Sequence, residues 1–274
     1  MTNFGGNMKA QTVNGTIGKS DLGFTLMHEH IFCDLRKPEN RNIFFNKKEE
    51  ITIDNRFEIN YYQNNNQQNL ILDEYEKAVD ELNFYREFGG NTIVELSTIG
   101  LNPKPKKLSK ISQETGVNIV IGTGHYTDDY LDEYSLNSDV EDIRMLMFKH
   151  LQDGFEDTNI RAGLIGEIGC SWHLKESEKK SLQAALEIQN DIGVTISIHP
   201  GRNKDSPKEI VKFLENFKVN PEKIIICHID RTLNNLDDIL YFLNKGYVLE
   251  WDFFGIETSN YWFGKFDLPT DYMR

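Results

Sequence analysis

Cysteine is scarce: the 274 residues contain three, Cys33, Cys170 and Cys227. They are too few and too widely spaced for a disulfide framework or a paired-cysteine metal site. Long apolar runs are missing as well. None approaches the length of a membrane span, which excludes a transmembrane helix. The opening stretch MTNFGGNMKAQTVNG lacks the charged segment and following apolar block of a secretory signal, so no signal peptide is expected. Together these absences point to a cytoplasmic protein. Positive charge is also in short supply: 30 Lys and Arg stand against 43 Asp and Glu, a formal net charge of −13. A surface that tracks phosphates needs clustered Lys and Arg. The one basic cluster, NPKPKKLSK, reads as a solvated helix start, so neither nucleic acid nor a membrane is expected as a partner.

What is present is enough for one large core, and a single domain over residues 1–274 is expected. Seven short apolar runs recur: TLMHEHIF, NTIVELST, VNIVIGTG, RAGLIGEIG, VTISIHPG, KIIICHID and YVLEWDFFG. They are near-continuous rather than alternating, as strands covered on both faces should be. Helical patterns lie between them. Leu72, Tyr75, Val79, Leu82 and Tyr85 share one face over residues 71–88, and stretches 174–193 and 233–246 each end at a glycine. Ser206-Pro207-Lys208-Glu209 reads as a helix start with Ser206 as N-cap. Residues 37–70 form a long, Asn-rich connection, read as a tolerated surface insertion in preference to a lid.

Alternating strands and helices predict a parallel sheet with helical crossovers, class α/β. No GxGxxG follows the first run, as a Rossmann fold would require. Nearly every run instead ends in polar residues at its C-terminal edge, where barrel enzymes gather their active sites. A (β/α)8 TIM barrel is therefore expected, with seven of its eight strands visible.

His28 and His30, two apart on the first run, must project to the same side. Glu167, His199, His228 and Asp252 occupy comparable run ends. Six such groups meeting at one rim would be costly to bury unpaired. Divalent metal is the natural compensation, since imidazole suits zinc and a carboxylate can bridge two ions. Of the other histidines, His150 and His173 are read as surface residues. Cys227, alternating with His228, is expected to face the helices.

The segments VNGTIGKSDLGFTLMHEHIF, GLIGEIGCSW, ISIHPGR, ICHIDRT and LEWDFFG closely resemble the phosphotriesterase-related proteins of the amidohydrolase superfamily. The resemblance implies a barrel with a binuclear, usually zinc, centre and a hydroxide bridging the two ions. Carried over residue by residue, His28 and His30 match the first-strand ligands. Glu167 stands where bacterial members have a carbamylated lysine, and His199 and His228 match the ligands of the second ion. The family's remaining ligand, an aspartate ending strand eight, has no counterpart here, and Asp252 matches a strand-seven position. The expectation is thus a C-terminally shortened form, weakly active or inactive.

Arg231, Arg202 and Tyr126 are candidates for contacting a small substrate, which the two arginines would favour as an anion. Asp230, Glu95 and Trp172 lie near the same rim. The resemblance points to amide hydrolysis of small N-acyl amino acids or N-acyltaurine-like molecules. Lactone or phosphotriester hydrolysis is one alternative. A non-catalytic barrel serving as a binding or regulatory protein is the other. A homodimer is compatible with such a chain.

Overall fold

A computed structural model describes residues 9–41, 50–61, 66, 68–256 and 268–274. The described residues begin with an antiparallel hairpin, β1 (Lys9–Thr12) and β2 (Gly15–Gly18), followed by the short helix α1 (Lys19–Leu22). The first apolar run becomes β3 (Phe24–Glu29). The long connection after it is not structureless. Its described residues hold a 3-10 turn over Pro38–Asn40 and a helix, α2 (Arg56–Tyr61), anchored by the buried Ile59. Two short strands flank it, β4 (Cys33–Asp34) and β5 (Ile71–Leu72), paired antiparallel. Part of its Asn/Gln tract, residues 62–65 and 67, lies outside the described residues.

From there strand and helix alternate. The order is α3 (Tyr75–Glu87), β6 (Gly90–Glu95), α4 (Pro105–Thr115), β7 (Asn118–Thr123), α5 (Glu133–Asn137), α6 (Val140–Gln152) and β8 (Leu164–Gly169). It continues with α7 (Glu176–Ile192), β9 (Ile196–His199), α8 (Ser206–Leu214), β10 (Ile224–Ile226), α9 (Leu236–Asn244) and β11 (Val248–Leu249). α4 and α7 stop where Gly116 and Gly193 turn left-handed, at φ +70° and +69°. At α8 the cap is one residue earlier than expected: Asp205 precedes the helix and Ser206 is its first residue. No helix among the described residues is long and apolar enough to cross a membrane.

All seven apolar runs enter one parallel sheet, ordered β11-β10-β9-β8-β7-β6-β3. Its isoleucines, among them Ile119, Ile121, Ile165, Ile168, Ile196, Ile198, Ile224 and Ile226, are fully buried against Leu182, Leu186 and Ile188 of α7 and Ile210 and Leu214 of α8. Each such side chain removed from water stabilises by roughly 1.5–3 kcal/mol. Among the described residues the end strands β3 and β11 are not hydrogen-bonded to each other. The sheet is nonetheless curled, because His28 of β3 lies 3.3 Å from Glu250 and 3.4 Å from Asp252, just beyond β11. All strand C-termini therefore converge on one rim, as the barrel reading expects.

Two expectations fail on burial. His150 is buried, not a surface residue: Thr123 Oγ1 lies 2.7 Å from its Nδ1 and Phe155 stacks on its ring, because α6 turns this face inward. Cys227 does not face the helices. Its thiol is buried 3.0 Å from Ser197 Oγ, on the face that also carries His199. The reason is His228, whose left-handed backbone (φ +55°) breaks the strand alternation on which the expectation rested.

Candidate metal centre

The centre is built around one carboxylate. Glu167 sits in β8 after Gly166, whose φ of +122° only glycine adopts readily. A Cβ there would stand 2.3 Å from the Ser197 carbonyl oxygen, so backbone and backbone meet with no room for a side chain. The β8–β9 register shifts between Ile165 and Ile168 at this point. Such irregularities re-aim a side chain, and Glu167 here turns into the barrel, 1 % exposed.

Four histidines close on its two oxygens. His30 Nε2 is 3.3 Å from Oε1, and His28 Nε2 is 3.3 Å from Oε2. His199 Nδ1 is 2.7 Å and His228 Nε2 3.3 Å from Oε2, with those two ring nitrogens 2.9 Å apart. The result is two triads, His28–His30–Glu167 and Glu167–His199–His228, each with ligand atoms within 4.8 Å of one another. Glu167 belongs to both. His28 Nε2 is buried and, although 3.3 Å from Glu167 Oε2, makes no well-aligned hydrogen bond, as suits a nitrogen aimed at a shared cation position. The donor set thus fits divalent metal, and the five expected ligands are all brought together.

The opposite nitrogens are held as well. His30 Nδ1 meets Ser97 Oγ at 3.0 Å, His28 Nδ1 meets Glu250 Oε2 at 3.3 Å, and His228 Nδ1 meets Asp252 Oδ2 at 2.7 Å. A carboxylate or hydroxyl on the far nitrogen fixes the tautomer that leaves the near one free for metal. Asp252, matched to strand seven, stands against the nitrogen of His228 that points away from Glu167, and with His28 and His228 it forms a third possible grouping. Ser97 and Glu250 escaped the sequence reading. For Glu250 there was a signal: it sits two residues before Asp252, the spacing that paired His28 with His30.

Charge follows geometry. Burial alone would raise the Glu167 carboxyl, but His199 and His28 beside it, with hydrogen bonds from His199 and His228, hold it well below the usual carboxylate range. Burial pushes His199 down to about 3, helped by Arg231 and His228, so its ring stays neutral. Asp252, which burial would raise, is instead lowered by His228 and His28.

The expected substrate contacts differ in accessibility. Tyr126 packs edge-on against His199 with ring centroids 5.0 Å apart, and Tyr130 packs against Tyr126 at 5.2 Å. Burial and the Glu167 charge push the Tyr126 hydroxyl well up, keeping it a donor. Arg202 is exposed, near enough to pull on both tyrosines electrostatically. Arg231 is buried: Nη2 donates to His199 Nε2 at 2.9 Å and to the Pro200 carbonyl at 2.8 Å. Glu95 is buried, with Oε2 accepting the Ser97 N–H at 3.2 Å, and Trp172 is 42 % exposed beside Gly201. His173 is exposed and paired with Glu209.

Comparison with known proteins agrees with this picture. The family model described as "Phosphotriesterase family" matches residues 8–265. A protein of Dictyostelium discoideum named N-acetyltaurine hydrolase is 37 % identical, over 97 % of this chain and 79 % of its own. One of the same name from Xenopus tropicalis is 38 % identical, over 96 % and 77 %. Among solved structures, a resiniferatoxin-binding protein from Rhodobacter sphaeroides superposes with a TM-score of 0.86 at 29 % identity, over 96 % of this chain and 74 % of that one.

Proposed function

We propose that this chain, which belongs to the phosphotriesterase family of metal-dependent hydrolases, cleaves the amide of a small N-acylated amino sulfonate or amino acid at a binuclear zinc centre. The observation that carries the reading is the sharing of Glu167 between two histidine triads. Divalent ions held by His28, His30, Glu167, His199 and His228 would bring the pKa of a water to about 7 and polarise the scissile carbonyl. The chain's own residues prepare for this. Glu167 is ionised, the state a metal ligand needs, and His199 is neutral, its Nδ1 proton shared with Glu167 and its Nε2 accepting from Arg231, so a metal at Nδ1 would displace that proton. Ser97, Glu250 and Asp252 orient the rings of His30, His28 and His228. Tyr126, protonated and packed edge-on against His199, would donate to a carbonyl or anion bound beside that ring. Arg202, exposed beside Tyr126 and Tyr130, would add positive charge near a sulfonate or carboxylate tail.

The substrate class is supported by the names of the Dictyostelium and Xenopus relatives together with these two residues. Purified protein is expected to carry close to two equivalents of zinc and to release acetate from N-acetyltaurine faster than from N-acetyl amino acids. Less than one equivalent of divalent metal would sink the binuclear reading. Faster turnover of a lactone or a phosphotriester would move the substrate to an ester. Two bound ions with no turnover of any of these would favour a binding protein.

A further inference from the structure

The segment beyond β11 carries Glu250 and Asp252, yet little backbone pairing holds it. Its backbone links to β10 and the turn after it are the Glu250 N–H to the Ile226 carbonyl and the Ile229 N–H to the Glu250 carbonyl, both 3.0 Å, and the Asp252 carboxylate also accepts the His228 N–H at 3.3 Å. Past Glu250 the anchoring comes from elsewhere. Asp230 Oδ2 accepts the Asp252 backbone N–H at 2.9 Å. Its other oxygen, Oδ1, is engaged by Nε of Arg274. Both side chains are completely shielded from solvent. The guanidinium reaches further along the same segment: Nη2 donates to the Ile256 carbonyl at 2.9 Å, and the cation lies 5.7 Å from the Phe254 ring. Nη1 pairs with Asp271, whose carboxylate accepts the Gly255 N–H at 2.9 Å.

A buried Arg–Asp pair is a poor source of stability, because desolvation offsets most of its attraction. What a rigid, fully satisfied guanidinium does well is fix geometry. We infer that Arg274 is a positioning residue for the metal centre: through Asp230 it holds the Asp252 backbone so that the Asp252 carboxylate meets His228 Nδ1. The chain of contacts is continuous, from Arg274 to Asp230, to the Asp252 N–H, and from the Asp252 carboxylate to His228. Arg274 itself touches none of the five ligands; its effect is on the outer nitrogen of one of them.

This inference rests on the metal-centre reading, and the experiment separates the two. Zinc and cobalt affinities are measured by chelator competition for wild type, R274Q, R274K, D252N and R274Q/D252N, with circular dichroism and thermal melting to follow the fold. Loss of an outer partner of a ligating histidine weakens metal binding by about 10- to 100-fold. D252N is expected to fall in that range, R274Q to lose several-fold, less than D252N, while keeping the wild-type circular dichroism spectrum, and R274K to fall between wild type and R274Q, since a lysine offers a point charge without the fork. The double variant is expected to bind no more weakly than the worse of its two singles, because both act on one contact. The absorption spectrum of the cobalt form should shift in R274Q, which a purely structural role would not produce.

Affinity within twofold of wild type in R274Q would overturn the inference, as would a double variant whose loss is the product of the single losses. Should R274Q not fold, R274K and R274K/D252N carry the same comparison. A wild-type protein that binds no metal would instead overturn the metal-centre reading itself.

Discussion

Glu167 is the residue on which the most depends, since one carboxylate serves both triads. Substituting Glu167→Gln keeps the shape and removes the charge. The expected outcome is loss of at least one bound ion and a fall in kcat/KM of ~10³-fold or more, from a lost ligand and its electrostatics. Metal content read beside steady-state kinetics checks it; unchanged zinc content would contradict the shared-ligand geometry. A second residue-scale prediction concerns two histidines outside the centre. Burial pushes His125 and His150 each down to about 4. In the unfolded chain they titrate near 6.5, so the unfolded state takes up protons first as pH falls. Their contribution is fully present above about pH 6.5 and is lost progressively towards pH 4. It amounts to roughly 3 kcal/mol per histidine as an upper bound. Urea titrations at pH 7 and pH 5 should show the loss, and H150N should flatten part of it; a slope unaltered in H150N would refute the assignment. At this scale the sequence was legible wherever strand period governs, as for His28 and His30. It was illegible where backbone geometry departs from period, as at His228, which brings Cys227 inward.

Elements decide whether those residues arrive together. All seven sheet strands were legible because continuous β-branched runs between helical patterns have few other solutions in an α/β chain. The β1–β2 hairpin escaped notice, since its eight strand residues, KAQT and GTIG, carry little apolar signal. The bulge that aims Glu167 was equally hidden: a Gly-Glu pair within LIGEIG looks like any strand interruption until the close approach of Ser197 is seen. That approach makes Gly166 a sharp test. Gly166→Ala meets both a φ of +122° and a carbonyl oxygen 2.3 Å from the new Cβ. A destabilisation of about 2–4 kcal/mol is expected in chemical denaturation, with zinc retention reduced because β8 must shift to admit the methyl group. Alanine tolerated with less than about 0.5 kcal/mol of loss would mean the strand relaxes freely there.

At the scale of the molecule the centre is also a clasp. Its proposed ligands come from four separate places: β3 and the residue just after it, β8, β9 and the turn that follows β10. Backbone hydrogen bonds already join β8, β9 and β10, whereas among the described residues β3 reaches the sheet through β6 alone. Metal between His28, His30 and Glu167 would therefore tie an end strand across the barrel to the middle of the sheet, a link that backbone pairing among the described residues does not make. A ligand that binds only the folded state stabilises it by about 2.7 kcal/mol at a hundredfold excess over Kd and about 4.1 kcal/mol at a thousandfold. For a chain of this size each kcal/mol moves Tm by roughly 2–4 °C. Stripping metal with a chelator is thus expected to lower Tm by about 5–15 °C, and returning zinc to restore it. Amide exchange should locate the effect: protection in the metal-free protein should drop most in β3, and less in β8 and β9, which keep two backbone neighbours each. A Tm indifferent to chelation, or exchange that rises uniformly across the sheet, would mean that the four histidines hold together through Glu167 and their outer partners alone.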